Sequence, residues 1–274
     1  MDVSIVTASS SASLDAGCRG QVVVSGSYGG EYNAWHAAKW GIRGVVLCDA
    51  GVGRDDAGTV GLPYLDRVGV PAATADAWTC HIADGEHILA HGIVSHVNAA
   101  ARALGCAPGQ TVRDCAERMK AGATVEATLP AIHGGQRHTM HDVPGEPKVI
   151  CLDAAPMLTP EDAGAIAVTG SHAALFRGRP DSVIGPTLHA VFFNDAGVGL
   201  DGAGIARLAD LDGRTMPAGA VAADSAPIGD ARRILAEGVL SHVNVSATRA
   251  GLAAGMPLRD AVAHLLARAR AARG

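Results

Sequence analysis

Short apolar runs punctuate the chain at VSIVT (3–7), QVVVSG (21–26), GVVLCD (44–49) and VPAAT (70–74). They resume at KVICL (148–152), AIAVTG (165–170), HAVFFND (189–195) and AGAVAAD (218–224). Each ends in small or polar residues, and longer stretches with helical periodicity separate them. Continuous rather than alternating apolar runs predict strands buried on both faces, as in parallel sheets with helical crossovers. The clearest helical segments are 84–105 (DGEHILAHGIVSHVNAAARALG) and 229–252 (GDARRILAEGVLSHVNVSATRAGL). Asp84 and Asp230 sit in N-cap position, and Gly105 and Gly251 fall near the far ends. A second short helix is predicted in each half, from TVRDCAERM and from PLRDAVAHLL.

The order of these elements repeats. CDAGVG at Cys48–Gly53 returns as NDAGVG at Asn194–Gly199, and SHVN at Ser95–Asn98 returns at Ser241–Asn244, both 146 residues on. VVVSGS ending at Ser27 matches IAVTGS ending at Ser171 at an offset of 144, and DAG at Asp15 is matched to DAG at Asp162 at 147. Small changes of offset imply short loop insertions. The reading is an α/β protein with an internal duplication, two similar parallel βα lobes packed about a pseudo-twofold axis. Repeat one covers residues 1–120, a connector 121–146, and repeat two 147–274. The connector is rich in Gly, Pro and His and has no clear period.

Composition narrows the class. The chain has 274 residues, is 48% hydrophobic and only 3% aromatic, and carries 35 glycines. That length buries a sizeable core, built here from Ala, Val, Leu and Ile. A net charge of −5 with no basic run gives no footprint for nucleic acid or an anionic membrane. No apolar stretch approaches the length of a membrane span, and the N-terminus lacks the basic start of a signal peptide. Six cysteines without C-x-x-C read as reduced, buried thiols, so the expected compartment is cytoplasmic. Homo-oligomerisation is left open.

Candidate chemistry lies in the loops after the strands, where ligands bind in such sheets. Asp49 and Asp195 follow an apolar strand and suit a general base; the alternative is a turn-capping role. Gly51 and Gly197 beside them would let backbone N–H groups approach an anion. Ser27 and Ser171, in SGS and TGS, are candidate substrate ligands or helix caps, and His172 follows the second of them where Tyr28 follows the first. Ser95 and Ser241 of SHVN, placed in a helix, either line a shared pocket or form a polar seam between packed helices. His133, His138 and His141 in the connector suggest a metal only weakly, since no H-E-x-x-H pattern is present; a surface loop is the better reading. The loop YGGEYNAWHAAKW is aromatic in repeat one only.

No Walker A is present, and the DAGVG loops are not read as a nucleotide-binding fingerprint, so no cofactor is expected. The leading expectation is an enzyme using acid–base chemistry on a small polar or anionic metabolite in a cleft between the repeats. Asp49, Asp195 and His172 are the catalytic candidates, and Ser27, Ser171, Gly51, Gly197, Ser95 and Ser241 the substrate-binding ones. Hydrolysis is placed first on general frequency, with a lyase or isomerase step on the same substrate class behind it. The non-enzymatic alternative is a small-ligand-binding or regulatory protein.

Overall fold

The computed structural model describes residues 3–125, 128–132 and 134–272. Lobe one runs β1 (Ile5–Ala8), β2 (Val22–Tyr28), α1 (Glu31–Ala38), β3 (Gly44–Cys48), α2 (Gly61–Asp66), β4 (Ala72–Ala75), α3 (Gly85–His91), β5 (Val94–Val97), α4 (Ala99–Ala103) and α5 (Val112–Met119). Lobe two runs β6 (Arg137–His141), β7 (Val149–Leu152), β8 (Ile166–His172), β9 (Ala190–Asn194), α6 (Arg207–Gly213), β10 (Ala218–Val221), α7 (Ala231–Glu237), β11 (Leu240–Val243), α8 (Val245–Arg249) and α9 (Leu258–Ala271).

All eight apolar runs are strands. The first sheet has the order β1-β2-β3-β4-β5 and the second β11-β10-β9-β8-β7-β6. The four expected strands of each lobe are parallel, Ile5 opposing Val22 in one lobe and Val149 opposing Ile166 in the other. Their burial on both faces explains the unbroken apolar runs: Val22, Val23 and Val24 are all fully buried, as are Phe192 and Phe193. Each such side chain stabilises the fold by roughly 1.5–3 kcal/mol. One cluster of the lobe-one core continues across to Ala174, Ala196 and Ile228, so the two lobes share packed surface.

Several expectations are corrected. SHVN is not helical. Helix α3 stops at Gly92, whose backbone is extended, and Val94–Val97 then forms β5, antiparallel to β4; β11 repeats this beside β10. The β-branched run Ile93–Val94 and the unpaired edge of β4 favour a strand there, although the apolar spacing also fits a helix. Gly105 and Gly251 do end helices, α4 and α8, with φ of +83° and +91°. Asp84 and Asp230 cap α3 and α7 as expected.

The connector contributes strand β6, antiparallel to β7 at the sheet edge. Its polar sequence RHTMH hides it, because it pairs through backbone and buries little. His138 and His141 are therefore extended, not one helical turn apart. Each has its own partner, Gln136 at 3.0 Å and Glu146 at 2.8 Å, while His133 lies outside the described residues. Among the described residues no group of three metal-ligating side chains is assembled. The aromatic segment after Gly30 is helix α1 rather than a loop, and lobe two replaces it with irregular chain from 173 to 189. The DAG pairing at offset 147 is also out of register: the short helical turns 16–18 and 160–162 both keep 144, so Asp15 corresponds to Thr159, and each precedes its turn as the N-cap.

Candidate functional site

The two DAGVG loops meet at the pseudo-twofold axis. Ala50, Gly51, Val52 and Gly53 all have positive φ, as do Ala196, Gly197, Val198 and Gly199. Positive φ is costly for Ala and especially for Val, so each loop needs external support. The aspartates supply part of it. Asp49 Oδ1 accepts from Gly51 N–H (2.9 Å) and Ala77 N–H (3.0 Å), and Asp195 Oδ1 from Gly197 N–H (3.0 Å) and Ala223 N–H (2.9 Å). Ser241 Oγ donates to Asp195 Oδ2 at 2.8 Å. Burial pushes the Asp49 carboxyl above its ordinary range against the hydrogen bonds from Gly51, Ala77 and Ser95.

Reciprocal bonds join the lobes across this axis. Arg54 N–H donates to Ala223 C=O at 2.9 Å, and Leu200 N–H, 146 residues later, donates to Ala77 C=O at 2.8 Å. Asp49 and Asp195 are each only 4% exposed. The turn-holding bonds engage Oδ1 of each carboxylate, and neither residue lines the clefts described below. Ser95 and Ser241, in β5 and β11, also stand outside them; Ser95 Oγ shares a hydrogen bond with Thr74 Oγ1 at 3.0 Å.

Ser27, Ser171 and His172 do come together. The register of β2 against β3 shifts between Val24 and Tyr28, and that of β8 against β9 shifts between Val168 and His172. Such irregularities re-aim the side chains that follow. Here they turn Ser27–Tyr28 and Ser171–His172 into one inter-lobe cleft, at the carboxyl ends of the strands. Ser11 N–H donates to Ser27 Oγ and Ala155 N–H to Ser171 Oγ, each at 2.9 Å, so the equivalent hydroxyls are held alike.

The cleft has two adjoining chambers that share Tyr28, Tyr32 and Asp153. The larger, about 280 Å³, is also lined by Glu31, Gly134, Gly135 and Asp230; the smaller, about 80 Å³, by Ser10, Ser27, Asn33, Ser171, His172 and Arg207. Tyr28 packs its ring against Gly30 and its hydroxyl against Gly229, where any Cβ would overlap it. Burial and the nearby Asp153 charge raise the Tyr28 phenol above its usual range, which keeps it protonated as a donor. His172 Nδ1 accepts from Ala174 N–H at 3.2 Å, leaving the proton of the neutral ring on Nε2. Burial, followed by the Arg207 charge, pushes the His172 imidazole down to about 4, so it is neutral at pH 7. Asp153 is fixed by Gln136 N–H (2.9 Å) and Ala231 N–H (3.2 Å). Arg207, 3% exposed, binds Asp181 through both nitrogens at 2.6 and 2.9 Å and so anchors the 173–189 segment that replaces α1.

Sequence reasoning noted the aromatic segment that holds Tyr28, Tyr32 and Asn33 without assigning them to a site, and missed Asp153 and Arg207 altogether. Asp153 was detectable, since it follows the apolar run KVICL as Asp49 follows GVVLC. Arg207 and Asn33 carried no local signal. The fold and site thus define an α/β protein with an inter-lobe cleft into which a few polar side chains converge. Comparison with known proteins gave no matching family model, no matching curated protein and no matching solved structure.

Proposed function

We propose that the chain is an enzyme acting by acid–base chemistry on a small polar or anionic metabolite held in the inter-lobe cleft. The observation that carries this reading is an asymmetry imposed on symmetric backbone. Positions 28 and 172 are equivalent yet hold Tyr and His, and positions 9 and 153 hold Ser and Asp. Tyr28, His172 and Asp153 all line the cleft. In this reading Tyr28 and the Nε2–H of His172 polarise a carbonyl oxygen, and Ser27 and Ser171 orient it. Asp153 accepts the proton, from water in a hydrolysis or from carbon in a lyase or isomerase step. Hydrolysis through a serine acyl-enzyme is disfavoured, because His172 Nδ1 is engaged by Ala174 and no hydrogen bond joins Ser171 to His172 among the described residues. Asp49 and Asp195 enter the reading as the junction that sets the lobe geometry.

A non-catalytic binder is the second reading, favoured by one observation: both Asp153 oxygens already accept backbone N–H bonds, as in a fixed ligand anchor. Incubation with a small-molecule cell extract, followed by untargeted mass spectrometry, separates the two. An enzyme consumes a metabolite that the Asp153→Asn variant leaves intact. Enrichment of a compound with no turnover supports the binder, and equal turnover by Asp153→Asn overturns the assigned base.

A further inference from the structure

We infer that the cleft takes a small amino-carboxylate, with its ammonium group in the larger chamber and its carboxylate in the smaller; this rests on the cleft reading above. The chemistry of the two chambers is segregated. The larger presents the Asp153 and Asp230 carboxylates, neither in an ion pair among the described residues, beside the aromatic rings of Tyr28 and Tyr32. Glu31, also on this wall, is offset by Arg67 at 3.3 Å. Among the described residues no Lys or Arg lines this chamber. Both Asp carboxylates accept backbone N–H bonds, and Arg232 borders an adjoining cavity beside them, yet their remaining negative charge next to aromatic faces favours a compact cation.

The smaller chamber shares Asp153 but adds several neutral donors. Arg207, on its wall, is neutralised by Asp181. What it offers are neutral donors: the Ser171 hydroxyl, His172 Nε2–H and the Tyr28 hydroxyl, for none of which an acceptor is present among the described residues. Half-buried donors of this kind are satisfied by carboxylate or carbonyl oxygens. Tyr28 and Asp153 border both chambers, so the two ends of the ligand are separated by a short spacer. A zwitterion carries no net charge of its own into the cleft.

Calorimetric titration of the full chain at pH 7 tests this with glycine, β-alanine and 4-aminobutyrate, against butyrate, butylamine and succinate. At least one amino-carboxylate is expected to bind about tenfold or more tightly than butyrate and butylamine. Asp153→Asn and Tyr28→Phe, checked as folded by circular dichroism, are each expected to weaken it about tenfold. Equal binding of a single-ended probe, or no binding of any amino-carboxylate, overturns the inference. If succinate binds instead and Tyr28→Phe weakens it, the substrate class is wrong while the cleft stands. If neither variant changes the affinity of any probe that binds, the cleft reading fails as well.

Discussion

Gly51 and Gly197 touch across the pseudo-twofold axis: a Cβ on either would stand 2.8 Å from the Cα of the other. Both have φ near +70°, at +71° and +70°. Gly51→Ala and Gly197→Ala therefore combine backbone strain with overlap between the lobes. Each is expected to lower stability by about 2–4 kcal/mol, measured by urea denaturation. The two losses should agree within about 1 kcal/mol, because the axis makes the sites equivalent; a loss at one site alone would deny that symmetry.

At Asp49 and Asp195 the side-chain oxygen caps two backbone N–H groups. Asn keeps that acceptor, so Asp49→Asn and Asp195→Asn are expected to fold with a change within about 1 kcal/mol. Ala orphans both donors and should cost about 2–4 kcal/mol. Turnover of the substrate, once identified, distinguishes a second role: a general base loses on the order of 10²–10⁴ in rate on conversion to Asn, whereas a turn anchor keeps its rate.

His172 gives stability a pH dependence of definite sign. Its imidazole, at about 4 in the fold, lies below its ordinary value of 6.5. The unfolded chain therefore binds the extra proton first as pH falls. This contribution is fully present above about pH 6.5 and declines as pH drops towards 4, by on the order of 3 kcal/mol in total. Urea denaturation at pH 7, 5.5 and 4.5 should show the decline in the parent chain and a shallower one in His172→Asn. Equal slopes would mean that the ring is not held neutral by its surroundings.

Asn98 and Asn244 tie strand to helix in both lobes. Asn98 Oδ1 accepts from Ala72 (3.0 Å) and Ala101 (2.9 Å), and its Nδ2 donates to Val70 C=O (2.8 Å). Asn244 repeats this with Ala218, Ala247 and Met216. Asn98→Asp keeps the acceptor but turns a carboxylate oxygen towards the Val70 carbonyl. It should therefore destabilise by about 2–3 kcal/mol, comparably to Asn98→Ala. A thermal melt that leaves Asn98→Asp like the parent would contradict the clamp.

The sequence by itself determined the eight parallel strands, the caps at Asp84 and Asp230, and the twofold repetition. Those features are local or periodic: a strand buried on both faces must be apolar throughout, and a cap must stand beside its helix. It also brought Ser27, Ser171 and His172 into view, since they follow apolar strands. Only the tertiary structure decided the rest. SHVN fits a helix by spacing and becomes a strand because the edge of β4 offers backbone partners. RHTMH has no apolar pattern and becomes a strand for the same reason beside β7. Asp49 and Asp153 look alike in sequence, each a carboxylate after a buried strand. Lobe packing alone turns the first into a buried anchor of the junction and leaves the second at the mouth of the cleft, beside a tyrosine from the other lobe.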